Sequence, residues 1–460
     1  MVGGPGLDSD GFSSGTNWNA ACLNADGNTV LNGSAACGTA SASGSGNYTG
    51  AYSLSNPFPS GLVPLINNPT GLGNDLGITL NTMMHSQRTL TTYNFNFGLE
   101  YQFPRGFVLS AGYVGSRGLF LTIGDFDLNT LDLGTLDLGT IGKYQGALCA
   151  YGEANCQMVA NTWQNIQPST NSNFGQAQVP LWVSLQQYPQ FGGSSYGAGN
   201  GVNVHGYPGG DSEYSSLQTK VQKRLTAHFT TLASSTWAKL MTDDGNPPLG
   251  FVGSHGGAPQ DAKNLSLEHT VSPQDVKYQF NWQASYDLPM GKGRALNLSG
   301  VGNAVLGGWT VDGILYASTG IPIPSPGAGT PNAYFNQRAD ITCDPSKGAP
   351  HTQAAWFNDT CFAIPVSQYV AGTAPAYLDR VRTMGAKDLD ATVSKNFKFG
   401  EAKNLRIDFC SYNIANRAQF GMPYVTSITA VNSGQGNPFG QVTTTVNSPR
   451  QFQFASRFTF

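Results

Sequence analysis

The chain closes on Arg450-Gln451-Phe452-Gln453-Phe454-Ala455-Ser456-Arg457-Phe458-Thr459-Phe460. Side chains of a strand alternate between two faces. Phe452, Phe454, Phe458 and Phe460 therefore share one face, interrupted by Ser456, and Gln451, Gln453, Ala455, Arg457 and Thr459 share the other. A water-soluble fold rarely leaves such a row of phenylalanines on a terminal strand with nothing after it to cover them. A strand of a membrane barrel needs that pattern, apolar toward lipid, polar toward the lumen and aromatic at the interface. The competing reading is the edge strand of a sandwich core, and the rest of the chain decides between them.

The same alternation recurs upstream. Tyr93, Phe95, Phe97, Leu99, Tyr101 and Phe103 alternate with Asn94, Asn96, Gly98, Glu100 and Gln102 before a tight turn at Pro104-Arg105-Gly106, and Phe107, Leu109, Ala111 and Tyr113 return. A Gly- and Asn-rich stretch then runs to about Asp211. Leu217, Thr219, Val221 and Leu225 follow, turn at Thr226-Ala227-His228, and return through Phe229, Thr231, Ala233 and Trp237. Further strands are read at Tyr278 to Leu288, from Trp309 to about Thr319, at Leu389 to Phe397 and from Leu405 through Phe409, about nine with the last. Mostly short turns alternate with long loops, the asymmetry of outer-membrane barrels with periplasmic turns and external loops. Tyr93, Tyr113, Trp237, Tyr286, Trp309 and Phe458 fall near strand ends, as interfacial girdles require; ordinary cross-strand aromatic pairing is the plainer alternative. The expected fold is all-β: an antiparallel transmembrane β-barrel, a C-terminal partial barrel with long extracellular loops. Residues 1–92 are read as an external loop with room for one or two strands, and residues 93–460 as the C-terminal part of the barrel. A structure of this chain alone is expected to show an open sheet with unpaired edges.

Composition agrees. The chain has 460 residues, charged residues are 11%, and 58 residues are glycine. That charge content is less than half of the roughly 25% of soluble domains. With 40% hydrophobic residues, disorder throughout is not expected. A net charge of −3 argues against nucleic acid as a partner. No run long enough for a transmembrane helix is present, so only a closed barrel could span a bilayer. Met1 to Gly6 lacks the features of a signal peptide, and the expectation is that the chain is the back part of a longer one, with signal peptide and plug missing from it. A strand ending on Phe460 also resembles the C-terminal signal by which outer-membrane proteins are recognised for insertion. Phe452, Phe454, Phe458 and Phe460 are the residues assigned to it.

The cysteines fit export. Cys22 and Cys37, Cys149 and Cys156, and Cys343 and Cys361 form locally spaced pairs in loop-like sequence, with Cys410 left over in a strand. They are read as candidate disulfides of an oxidising compartment. Zinc is the alternative, without a CxxC knuckle or clustered histidines in its favour.

Tyr93 to Leu121, Tyr188-Pro189-Gln190-Phe191-Gly192, Tyr214 to Lys239, Phe280 to Gly293 and Asp388 to Pro423, taken together, resemble the barrel of Oar-like TonB-dependent outer-membrane receptors, with versions from soil acidobacteria closest. The distinguishing motifs are YVGSRG at Tyr113–Gly118, the strand Leu217–Arg224, the turn Leu288–Gly293 and Pro449-Arg450-Gln451. The resemblance runs from about residue 55 to Phe460. It implies a barrel of about 22 strands around a plug, a plug domain, a TonB-type energy transducer as partner, outer-membrane lipid around the wall, and a solute that the sequence does not name. Cys410 departs from the apolar or aromatic residue usual on its strand.

Catalytic patterns are weak. Gly193-Ser194-Ser195-Tyr196-Gly197 matches G-x-S-x-G, but no helix follows it, as a nucleophile elbow requires. The six histidines lack metal spacing, and the repeat Leu131–Thr135 and Leu136–Thr140 has too few oxygen ligands for calcium. No cofactor and no enzymatic activity are expected. Gln218, Lys220, Gln222 and Arg224 form a polar stripe. The plain reading is the wet side of a barrel wall; the functional one is a surface for plug or solute. The first functional expectation is the wall and loops of a transporter in the outer membrane of a Gram-negative bacterium. The alternative is an adhesion or structural protein that uses the barrel as an anchor.

Overall fold

A computed structural model describes residues 80–83, 88–123, 126–129, 158–164, 177–191, 201–205, 207–226, 228–243, 259–261, 263–328, 337–366, 370–400, 403–425, 428 and 439–460. The chain divides into two units, one of residues 1–83, 127–132 and 144–205 and one of 84–126, 133–143 and 206–460. In the first, Leu80–Met83 pairs in parallel with Val202–His205, and Met158–Ala160 pairs antiparallel with Gln178–Pro180 ahead of a short helix, Leu181–Leu185. Asn129, fully buried, donates from Nδ2 to the carbonyls of Tyr188 (3.0 Å) and Phe191 (2.9 Å) and accepts the Tyr188 N–H at 2.8 Å. That side chain holds the Tyr188–Phe191 bend in place of a regular element.

The second unit is built on one antiparallel sheet. Its strands are β1 (Thr91–Phe103), β2 (Phe107–Ile123), β3 (Tyr207–Thr226), β4 (Phe229–Thr242), β5 (Tyr278–Asp287), β6 (Trp309–Ser318), β7 (Lys387–Phe399), β8 (Lys403–Tyr412) and β9 (Gln451–Thr459). Each pairs with the next in sequence, a plain meander, and Thr270–Val271 adds a short extra pairing on β4. Among the described residues, β1 and β9 are each paired on one side only. These are the nine segments read from the alternation. The first tight turn is a single 3₁₀ turn at Pro104–Gly106, where proline presets φ and Gly106 takes φ +80° without a Cβ penalty.

Register carries the two faces unbroken across the sheet. Tyr101, Leu109, Val221, Ala233, Trp282, Leu315 and Leu389 stand side by side on β1 to β7. One residue along, Glu100, Ser110, Lys220, Ser234, Asn281, Tyr316 and Asp388 form the matching row on the opposite face. Val311, Val393, Phe409 and Phe454 continue the apolar face to β9. A one-residue slip would exchange the faces wholesale.

Two expectations on boundaries need correction. The strand read from Leu217 begins at Tyr207, and its partner β2 runs on to Ile123. The added segment Tyr207–Ser216 is polar and Gly-containing, so it has no apolar alternation to betray it, yet the ladder continues up to Ile123↔Tyr207 through two register shifts. The stretch between β6 and β7, which falls among the long loops of the sequence reading, holds the main buried core of this unit. Ile323, Ala339, Trp356, Phe357, Phe362, Leu378 and Val381 pack there with Ile428, Phe439 and Val442 from the β8–β9 connection. Phe357 meets Phe362 and Phe439 edge-on, with centroids 5.9 and 5.4 Å apart. Among the described residues, no helix is long and apolar enough to cross a membrane.

Candidate functional site

The apolar face of the sheet is uncovered. Leu99 and Phe454 are 67% and 70% exposed in midstrand positions. An open, mainly apolar face of this size is unfavourable in water and is what lipid requires. Its charges lie at the margins. On β3 the same face carries Glu213 at one end and Lys223 at the other; on β7 it carries Lys387 and Lys395. Ten residues of strand span about 33 Å, and a strand tilted about 45° crosses the ~25 Å apolar band of a barrel over that length. Lys223 Nζ lies 4.8 Å from the Phe107 ring centroid and 5.5 Å from that of Phe229, a cation held over aromatic faces at the turn margin. Stacked pairs, Trp237–Tyr278 near one margin and Phe458–Phe460 at the other, bracket the band. Phe452, Phe454, Phe458 and Phe460 all sit exposed on or beyond β9 on this face.

The opposite face is polar and lined by small residues. Gln218 stands between Gly112 and Thr236, Lys220 between Ser110 and Ser234, and Gln222 between Val108 and Leu232. Arg224 lies in the same strand, its side chain outside the described residues. Glu100 accepts a 3.0 Å hydrogen bond from Ser110 Oγ. Gly98, Gly112, Ser110, Ser234 and Thr236 leave an open depression of about 590 Å³ around Gln218, Lys220 and Glu100. Further along, Ser394 Oγ donates to Asp408 Oδ1 at 2.6 Å, and Arg406 donates to the same oxygen at 2.6 Å and to Ser394 Oγ at 3.0 Å. This triad was not picked out from the sequence. The signal was present, since Arg406 and Asp408 alternate with Leu405, Ile407 and Phe409. Cys410 belongs to the same polar face, opposite Thr392 and Gln453, and is a free thiol. Its departure from an apolar residue is thereby explained: the position does not face the apolar side.

Beyond the margin opposite the tight turns, ion pairs tie the loop core to the β4–β5 connection, where they are buried, and to β4, where the pair is half exposed. Arg382 meets Asp275 at 2.6 Å, and Asp275 also accepts the Leu240 N–H at 2.6 Å. Arg338 meets Glu268 at 2.7 Å and donates to the Ala374 and Leu267 carbonyls. Gln260, with no exposed surface, accepts from the N–H groups of Arg338 (2.8 Å) and Gly372 (3.0 Å). Lys239 of β4 reaches Asp379 at 2.7 Å. Burial would raise the Asp379 carboxyl, but hydrogen bonds from Lys239 and Arg382 outweigh it and hold its pKa below the ordinary value. Asp344 is lowered to about 2, first by the Ser346 hydroxyl and then by Arg380.

Cys343 and Cys361 are joined in a disulfide with Cα atoms 4.9 Å apart, and Cys361 is fully buried. Cys22, Cys37, Cys149 and Cys156, the G-x-S-x-G sequence at Ser195 and the Leu131–Thr140 repeat lie outside the described residues. Among the described residues, no group of three or more His, Cys, Asp or Glu is placed to hold a metal ion.

A comparison with curated protein sequences gave no match. Among solved structures, the chain is similar to the outer membrane transporter YddB from Escherichia coli (8% identity, TM-score 0.39), over 84% of this chain and 35% of that one. It is also similar to the ferric-catecholate import receptor Fiu from K12 E. coli (9% identity, TM-score 0.34), over 82% and 30%. A third is BauA, the ferric preacinetobactin receptor from Acinetobacter baumannii (10% identity, TM-score 0.33), over 80% and 29%. The chain thus spans about a third of the length of these proteins. A family model described as an outer membrane beta barrel domain matches residues 3–453. With the uncovered apolar band and the polar face behind it, this closes the identification: the chain belongs to the outer membrane beta barrel domain family, and its home is the outer membrane of a Gram-negative cell.

Proposed function

We propose that this chain supplies the wall and external loops of a TonB-dependent outer-membrane transporter that takes up a scarce solute. The observation that carries the reading is the polar face. A small barrel fills its interior with its own side chains. Here Gly98, Gly112, Ser110, Ser234 and Thr236 are too short to do so and leave the depression around Gln218, Lys220 and Glu100 open. Such a wall suits a wide lumen that holds a plug or passes a polar solute. The division 1–92 and 93–460 serves this role as loop and wall. The stripe Gln218, Lys220, Gln222 and Arg224 is proposed to face the plug or solute. The phenylalanines of β9 serve insertion. The plug and the energy transducer are partners of the complete protein, and the solute's class is left open. The stapled loop core positions the external rim that meets the solute first.

The test is uptake by cells that carry the complete gene or a disrupted copy. Radiolabelled ferric chelates, oligosaccharides and peptides are offered with and without a proton uncoupler. Uptake that is lost on disruption and abolished by the uncoupler is the expected result. Loss of binding to cells or polymers, with uptake of every probe unchanged, would contradict transport and indicate adhesion.

A further inference from the structure

The connection between β5 and β6 contains a seven-residue helix, Gly300–Leu306, at the tight-turn end of the sheet. Its exposed side is wholly apolar: Val301 is 80% exposed and Val305 59%, with Ala304 and Leu306 also exposed. Leu296, earlier in the same connection, is exposed as well. The inner side is tied down. Asn303 Oδ1 accepts the Lys292 N–H at 2.7 Å. Val301 and Val305 are each two residues from Asn303, about 200° around a helix, and so point away from that anchor.

What holds the helix's C-terminal end comes from the apolar face of the sheet. Trp309 Nε1 donates to the Val305 carbonyl at 2.9 Å. Lys395 Nζ donates to the same carbonyl at 3.2 Å and to that of Gly307. Lys395 is buried, flanked by the rings of Trp309 and Phe397 at 5.3 and 5.0 Å. Trp309, Lys395 and Phe397 share a face with Val311 and Val393, the face turned to lipid. Close seating is possible because Gly308 has no side chain; a Cβ there would lie 2.6 Å from the Asn396 carbonyl oxygen. The helix is therefore fastened outside the barrel wall, at the margin where the apolar band ends. A helix face of Val, Ala, Val and Leu in that place continues the lipid-facing surface and gains nothing from water.

We propose that residues 296–306 form an interfacial anchor, with Leu296, Val301, Val305 and Leu306 set among the phospholipids of the periplasmic leaflet. Lys395 supplies the orphan carbonyls of the helix end with a donor that lipid cannot offer.

The test uses the full chain in vesicles of phosphatidylethanolamine and phosphatidylglycerol that contain a phospholipid with a diazirine near the glycerol. Adducts are mapped by peptide mass spectrometry. Adducts on residues 296–306, as well as on the internal control β9, are the expected result. A V301D/V305D double variant is expected to lose at least fivefold of the 296–306 adducts, with β9 labelling and heat-modifiable migration unchanged. Labelled β9 with an unlabelled 296–306 peptide in the native chain overturns the proposal, whether water or another protein covers the helix. So does undiminished labelling in a folded double variant.

Discussion

In the sheet, Phe97, Leu99 and Tyr101 lie open at 62–67% exposure, whereas in the loop core Ile323, Phe357 and Val381 are at most 2% exposed. Both regions use large apolar side chains, but they answer to different solvents. The loop core meets water and hides its apolar groups behind one another. The wall shows them on one open face and keeps its polar groups, Lys220, Glu100 and the Arg406–Ser394–Asp408 triad, on the opposite one. The unit that carries the sheet therefore holds two hydrophobic organisations, and its loop core is stable for the ordinary soluble-protein reason. The two are joined by hydrogen-bonded charge, since Asp275 caps the Leu240 N–H at the end of β4 and grips Arg382 of the loop core.

Breaking the loop core gives the largest expected effect. Phe357→Ala removes a ring packed between Phe362 and Phe439 and is expected to cost about 3–5 kcal/mol of loop stability. Limited proteolysis should then cut between residues 337 and 366 while heat-modifiable migration of the barrel stays unchanged. Simultaneous loss of both properties would show that the regions are one cooperative unit.

Replacing Cys343 and Cys361 together by serine sharpens the same distinction. A loop of that length contributes about 2–4 kcal/mol when closed, and the loss should appear in the loop's proteolytic midpoint and not in barrel unfolding. Next, the wall: Leu315→Arg, in the middle of the apolar row, is expected to cost about 2–4 kcal/mol in lipid. Gln283→Arg, on the opposite face, should stay within about 0.5 kcal/mol. Urea unfolding of both variants in vesicles measures the pair, and equal costs would deny that the faces see different media.

The smallest effect is that of acid. Asp344 has its pKa lowered to about 2 from 3.8 by Ser346 and Arg380. Its ionised form is thus favoured in the folded loop. That contribution is fully present above the unfolded value, and is lost as pH falls from about 4 to about 2. Hydrogen-exchange protection at Asp344–Lys347, measured relative to the unfolded chain at the same pH, should fall across that window, and D344N should show the lower protection at every pH.

The wall was largely legible because lipid leaves a strict signature. Tyr93 to Phe103 alternates for a full crossing, and β9 does so again. Tyr207–Ser216 was not legible as strand, since above the band nothing selects for apolar residues and the ladder alone extends it. The loop core was hidden for another reason: Ile323, Trp356, Leu378 and Phe439 come from distant positions with no common period. Cys343 and Cys361 were its only trace. The polar triad was half legible, as the complement of Leu405, Ile407 and Phe409. The Asp275–Arg382 and Glu268–Arg338 pairs had no sequence signal, because their partners lie in separate loops.

The central claim, that alternate residues of one strand face lipid and lumen, is tested most directly along β3. A nitroxide carried on a ketone-bearing amino acid, which leaves the cysteines untouched, is placed in turn at residues 217–222 of the full chain in vesicles. Collision with oxygen and with a nickel chelate is then measured. Oxygen access should peak at Leu217, Thr219 and Val221, and nickel access at Gln218, Lys220 and Gln222. Oxygen access without a two-residue period, or with its peaks at the even positions, would contradict the account.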